Sequence, residues 1–168
     1  MKTAVIAILI LVVIAVAVLV TNGSSRGDGV RRHQMEIKIL SVALESYKDK
    51  QGNYPSDPLS TEQLRPNASF DPKSYIKSSQ FLYRTLSADD GKNVNLGFKE
   101  YLEVRPQMLR TGEPGGTYFV DPWGNSYGYS TFKSVHRDSL DGYNPTFDLW
   151  STAGGKREKD RSKWAKNW

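Results

Sequence analysis

The sequence predicts an α+β fold: an N-terminal transmembrane helix, then an amphipathic spine helix packed on a small antiparallel β-sheet. Three observations carry this. Ala4–Val20 reads AVIAILILVVIAVAVLV, seventeen residues without a polar side chain. Ile37, Leu40, Leu44 and Tyr47 then recur at intervals of three, four and three, the spacing of one helical face. Finally, nine Tyr, six Phe and four Trp, clustered late in the chain between turn residues, fit short strands.

The apolar run fixes the organisation. No charge occurs between Lys2 and Arg26, an uncharged window of twenty-three residues. A helix that long covers about 35 Å at ~1.5 Å per residue, against a hydrocarbon core about 30 Å thick. It is apolar on every side, which excludes an amphipathic helix on a soluble core. Two alternatives stand beside the anchor. One is a cleaved signal peptide with an A-x-A-like site at Ala15-Val16-Ala17; the other is a buried core helix. The expected layout is a short flank 1–3, a transmembrane helix 4–20, a Gly/Ser-rich linker 21–29 (TNGSSRGDG) and a globular domain 30–168. Lys2 faces Arg26, Arg31 and Arg32 across the run, so loop charge does not fix the orientation.

The spine helix is expected from Val30 to Gln51, with Met35, Ile39 and Val42 widening its stripe. Lys38, Glu45, Lys48 and Asp49 take the other side. Gly52 stops the helix and Pro55 prevents continuation. Ser60-Thr61-Glu62-Gln63 has the form of a capping box for a short helix ending at Pro66. Ser78–Ser87 reads as a second helix, with Phe81, Leu82 and Leu86 inward. Asp89–Asn93 and Glu113–Gly116 are turn clusters; the former lacks the alternating oxygen ligands of a calcium loop.

Strands follow. Tyr118-Phe119-Val120 is β-prone, and Asp121-Pro122-Trp123-Gly124-Asn125 supplies a turn, with Gly124 and Asn125 tolerating positive φ. Tyr127 and Tyr129 alternate with Gly128 and Ser130 as in a half-buried strand. Val135–Tyr143 is a polar connection, and Thr146–Ser151 alternates again. Three antiparallel strands on one long helix close the fold, with Trp150 facing Leu40 and Leu44.

Chemistry is sparse. No cysteine is present, which removes thiol catalysis, thiolate metal sites and disulfides. His33 follows two arginines at a helix start and reads as solvated. His136 lies in a polar loop, and neither histidine has zinc spacing. Residues 156–168 carry +4 of the net +5, so the rest of the chain has no general basic face for nucleic acid. Trp123 and Trp150 read as buried anchors of the sheet, the alternative being a platform for a sugar or a base.

The landmarks Gly52-Asn53-Tyr54-Pro55, Asp121-Pro122-Trp123-Gly124-Asn125-Ser126-Tyr127, Asp148-Leu149-Trp150-Ser151 and Asn167-Trp168, in that order behind an apolar helix, resemble the major pseudopilin of type II secretion systems, a type IV pilin-like family. The likeness covers residues 30–55 and 117–168. It implies a pilin-like fold and a non-enzymatic structural subunit that polymerises with itself or other pseudopilins through its N-terminal helix. It also implies a bacterial inner-membrane, single-pass protein whose domain is periplasmic and which supports protein export, with no small-molecule substrate and no nucleic acid partner. Between Met1 and Gly27 the family's leader glycine, Phe and buried Glu have no counterpart, so an uncleaved anchor is expected. The other reading of the same residues is a membrane-anchored extracytoplasmic binding module with an aromatic hairpin.

The resemblance further implies a calcium site in the loop after the last strand. Gly154-Gly155 stands where an Asp-Gly step is expected, leaving Asp160 as the weak metal candidate beside Glu158. Lys156, Arg157, Lys159 and Arg161 surround it. The site is expected to be degenerate, with a Lys or Arg replacing the ion and bridging Asp160 to the sheet; no cofactor is expected.

Overall fold

A computed structural model describes residues 29–66, 68–87, 101–112 and 115–168. The expected transmembrane helix, most of the linker and the Asp89–Asn93 turn lie outside these residues. Among the described residues no helix is long and apolar enough to cross a membrane. The chain divides into two units, Met1–Arg32 and His33–Trp168. Of the first, residues 29–32 are described and are helical; all packing below is within the second.

The architecture is α+β, with helices and two small antiparallel sheets. Helix α1 runs over residues 29–51. Gly52 ends it at φ 84°, its N–H bonding the Lys48 carbonyl at 2.7 Å, a closure open to glycine at little steric cost. Ile37, Leu40 and Leu44 are buried as the period requires, joined by Ala43. Met35 and Val42 do not widen this stripe, being 60% and 66% exposed. The inward face turns instead toward His33 and Glu36, both buried, so polar residues occupy part of the core face.

After the helix, residues 53–66 and 68–75 run past the sheet, and the short helix expected from the Ser60–Gln63 capping box to Pro66 is not formed. Asp57 takes that segment into a turn, its carboxylate accepting from the Leu59 and Ser60 N–H groups at 3.2 and 2.7 Å. Such an Asx turn competes with helix initiation. Thr61 is buried against Thr131, with their hydroxyls 2.8 Å apart. A 3₁₀ turn, Pro72–Tyr75, leads into α2, Ile76–Ser87. Leu82 and Leu86 are buried as expected, whereas Phe81 is half-buried. The helix packs on the strands that follow, and Ser79 Oγ donates to the Phe119 carbonyl at 2.8 Å.

Strands β1, Leu109–Thr111, and β2, Thr117–Phe119, form a hairpin. β3, Gly128–Ser130, pairs with β4, Asp148–Ser151, which pairs with β5, Ala165–Lys166. A four-residue helix, α3, Phe132–Val135, interrupts the polar connection after β3. The expected single three-stranded sheet is therefore two sheets. β2 joins the hairpin, linked toward β3 by a Val120–Ser126 bridge, and the third place beside β4 goes to the C-terminal β5.

Neither β3 nor β4 is half-buried: all their residues are buried. Leu149 and Tyr129 pack with Leu40 and Leu44, whereas Trp150 joins Tyr75 and Trp164 in a second cluster. Trp150 thus does not face α1. Successive strand residues point to opposite faces, and Leu149 holds the helix side. The 53–75 segment covers the other side, so polarity alternation carried no signal about which face was which.

Candidate functional site

The Asp121–Asn125 turn is a node joining three parts of the second unit. Asp121 is buried, and its Oδ1 accepts from the backbone N–H groups of Trp123 and Asn125, both at 2.9 Å. Its Oδ2 accepts from Ser151 Oγ at 2.6 Å, at the end of β4. With the Asn125 side-chain amide at 3.4 Å as well, four donors converge on one carboxylate, which explains why an acidic residue opens the turn. Pro122 follows, and Gly124 N–H bonds back to the Asp121 carbonyl at 2.8 Å. Gly124 alone of the Gly124-Asn125 pair takes a left-handed backbone, φ 79°. A Cβ there would overlap the Arg110 guanidinium and stand 3.2 Å from its Cζ. Asn125 serves through hydrogen bonding, its backbone N–H and carbonyl both spanning the turn to Asp121.

The node reaches α1 by two contacts. Tyr127 Oη donates to Glu36 Oε2 at 2.6 Å. Trp123 meets the His33 ring edge-on, centroids 5.0 Å apart. Sequence reasoning misses both α1 partners: His33 is buried rather than solvated, and Glu36, which the stripe leaves unassigned, is buried too. Their signal was positional, since His33, Glu36 and Leu40 follow the same three–four spacing as the core stripe. Trp123 is 42% exposed and is not a buried anchor; Trp150, fully buried, is one.

The C-terminal segment closes the other end of β4. Asp148 is buried and its carboxylate accepts from the Tyr143 and Asn144 N–H groups, each at 2.9 Å. Burial pushes its carboxyl above the ordinary range, against those two bonds. Asn167 clips β4 and the residue before it, accepting from Leu149 N–H at 2.9 Å and donating to the Phe147 carbonyl at 3.1 Å. Trp168 stacks on Tyr143 at 4.3 Å and 6°, and meets Trp150 edge-on at 6.1 Å.

Asp160 lies buried in a 3₁₀ segment, Glu158–Lys163. Lys163 Nζ and Arg157 Nε each approach its carboxylate to 3.2 Å, and these bonds, Lys163's first, hold its carboxyl below the usual range. The expected bridge from Asp160 to the sheet is not formed; both partners are three residues away in sequence, so the charge is met locally. Among the described residues no group of three His, Asp or Glu side chains is placed to hold a metal ion. His136 is exposed, its ring tilted 36° against Phe132 with centroids 4.4 Å apart.

Asp121, Asp148, Trp150 and Trp168, scattered over the sequence, thus meet at β4, while Trp123 and Tyr127 reach from the Asp121 turn to α1, with Pro122, Gly124 and Asn125 shaping that turn. Asp160 stands apart with its cations. No protein-family model, curated protein or solved structure matches this chain.

Proposed function

We propose that this chain is a structural, pseudopilin-like subunit of a type II secretion or type IV pilus-like apparatus, non-enzymatic, held in the bacterial inner membrane by residues 4–20 with its domain on the periplasmic side. The observation that supports it best is the linkage of the resembling landmarks: Asp121 to Ser151, Tyr127 to α1, and Asn167-Trp168 to β4. Side chains that recur as a pattern are used here to lock a long helix onto a sheet, the task of a subunit scaffold rather than of a reaction centre. The exposed Met35 and Val42, seven residues apart and so on one face of α1, offer apolar surface to a neighbouring subunit.

Self-association through the N-terminal run is directly testable because the chain has no cysteine. Single substitutions Ile10→Cys and Val16→Cys in the full chain, oxidised in membranes, are expected to give cross-linked dimers. A double variant at both positions is expected to give ladders. Monomer alone from every variant rejects the assembly reading.

The half-exposed Trp123 favours a second reading, a tethered binding module. Its test is saturable quenching or enhancement of Trp123 emission by a glycan panel, lost in Trp123→Phe.

In the assembly reading the domain needs no calcium. Lys163 and Arg157 neutralise Asp160, and a divalent cation, which calls for several anionic oxygens, would have to displace both. The melting temperature is expected to be the same in calcium and in chelator. A rise of several degrees with millimolar calcium, on the order expected for a ligand well above its Kd, restores a metal site there.

A further inference from the structure

We propose that the second unit carries a lipid-facing surface at the His33 end of α1, where Trp123 and the cations around it rest on anionic phospholipid headgroups. The inference rests on the membrane-anchor reading and adds to it which face of the domain meets the bilayer.

Three contacts assemble this surface. Trp123, 42% exposed, lies against His33, four residues into α1. Gly154 lies against the same indole: a Cβ on it would stand 3.6 Å from Cδ1 and Cγ. The 151–155 turn is fastened there by Ser151 Oγ on Asp121 and by Gly155 N–H on the Thr152 carbonyl at 2.8 Å. The basic segment that begins at Lys156 therefore starts beside Trp123. Arg110 reaches the same turn, its guanidinium packed over Gly124.

Arg110, Lys156, Arg157 and Lys159 are all exposed. Glu158 and Asp160 are the acids of the segment, and Asp160 is already met by Arg157 and Lys163. Lys156 and Lys159 are left without an acidic partner in the segment. Arg110 packs over the turn that carries the half-exposed Trp123, and Lys156, Arg157 and Lys159 follow Gly154 in sequence, a composition that suits a bilayer interface: the indole partitions to the headgroup level and the cations meet lipid phosphates. Position decides for lipid over a soluble polyanion. This is the end at which the chain enters α1 from its N-terminal residues, and the apolar run ends only eight residues before the helix, at most about 28 Å of extended chain.

The test uses the full chain reconstituted in vesicles of brominated phosphatidylcholine, with or without brominated phosphatidylglycerol. Emission of the wild type minus that of Trp123→Phe isolates Trp123. Quenching is expected with phosphatidylglycerol, weak without it, and reversed by high salt through screening. Lys156→Glu/Lys159→Glu is expected to lower the docked-to-free ratio at least about tenfold. Lys50→Glu, about 25 Å from His33 along the same helix, is expected to leave the ratio unchanged. An alkaline carbonate wash, scored in parallel, separates the two readings. Retention without phosphatidylglycerol-dependent quenching overturns the lipid surface and leaves the anchor standing. Release by carbonate with quenching intact overturns the anchor and leaves the surface. Equal effects of Lys50→Glu and the double reversal, or tighter binding to duplex DNA than to the anionic vesicles, overturn the proposal.

Discussion

Trp150→Ala is expected to destabilise the domain by about 3–5 kcal/mol, the range for truncating a buried large aromatic. In a chain of this size that lowers the melting temperature by roughly 10 °C or more. Trp150 is fully buried, with Tyr75 edge-on at 5.0 Å and Trp168 at 6.1 Å. Its removal deletes the centre of the smaller core and takes away one support of the C-terminal Trp168. The loss should therefore appear first as exposure of the 164–168 segment in hydrogen exchange, because among the described residues β5 pairs with β4 alone. Denaturant unfolding measures the total. A loss under about 1 kcal/mol, in the range of surface substitutions, would mean that Trp150 does not anchor the smaller core.

The sequence made some of this legible and hid the rest for identifiable reasons. The α1 stripe was readable because Ile37, Leu40 and Leu44 face a single layer, so periodicity reports burial without ambiguity. Gly52 was readable because a left-handed helix stop has few chemical solutions. Trp150 was correctly placed inside but on the wrong side, since a sheet covered on both faces removes the polar alternation that assigns sides. Residues 53–75 stayed dark because hydroxyls and carbonyls pin them individually. Ser130 Oγ on the Leu64 carbonyl at 2.5 Å and Tyr129 Oη on the Pro55 carbonyl at 2.7 Å are contacts with no period. Asp121 announced a turn but not its reach to Ser151, thirty residues away. β5 was missed because two residues, Ala165 and Lys166, are too short to show alternation. The basic charge of that region was legible as a total, but its proximity to Trp123 depended on the fold.

Gly128→Ala sets two physical effects against each other, and their magnitudes predict the sign. Gly128 is in a strand with no positive φ, so backbone entropy alone favours alanine by about 0.5–1 kcal/mol. Packing opposes it. Gly128 is paired across the ladder with Trp150, and a Cβ on it would overlap the indole Cε2 and Cζ2 and stand 2.6 Å from Cδ2. The indole lies flat over the glycine and, being enclosed by Tyr75 and Trp168, has nowhere to retreat. Overpacking of this kind costs typically about 1–3 kcal/mol, occasionally more, and the enclosed ring puts this site near about 3 kcal/mol. The expected result is net destabilisation of about 2 kcal/mol or more. A double-mutant cycle isolates the cause. In a Trp150→Leu background the overlapping ring atoms are absent, and Gly128→Ala should then be close to neutral. The coupling between the two sites should reach about 2 kcal/mol, within the range for residues in direct contact. Additive losses, or a gain in stability from Gly128→Ala alone, would show that the indole does not occupy the space above Gly128 and would remove the basis for the second core.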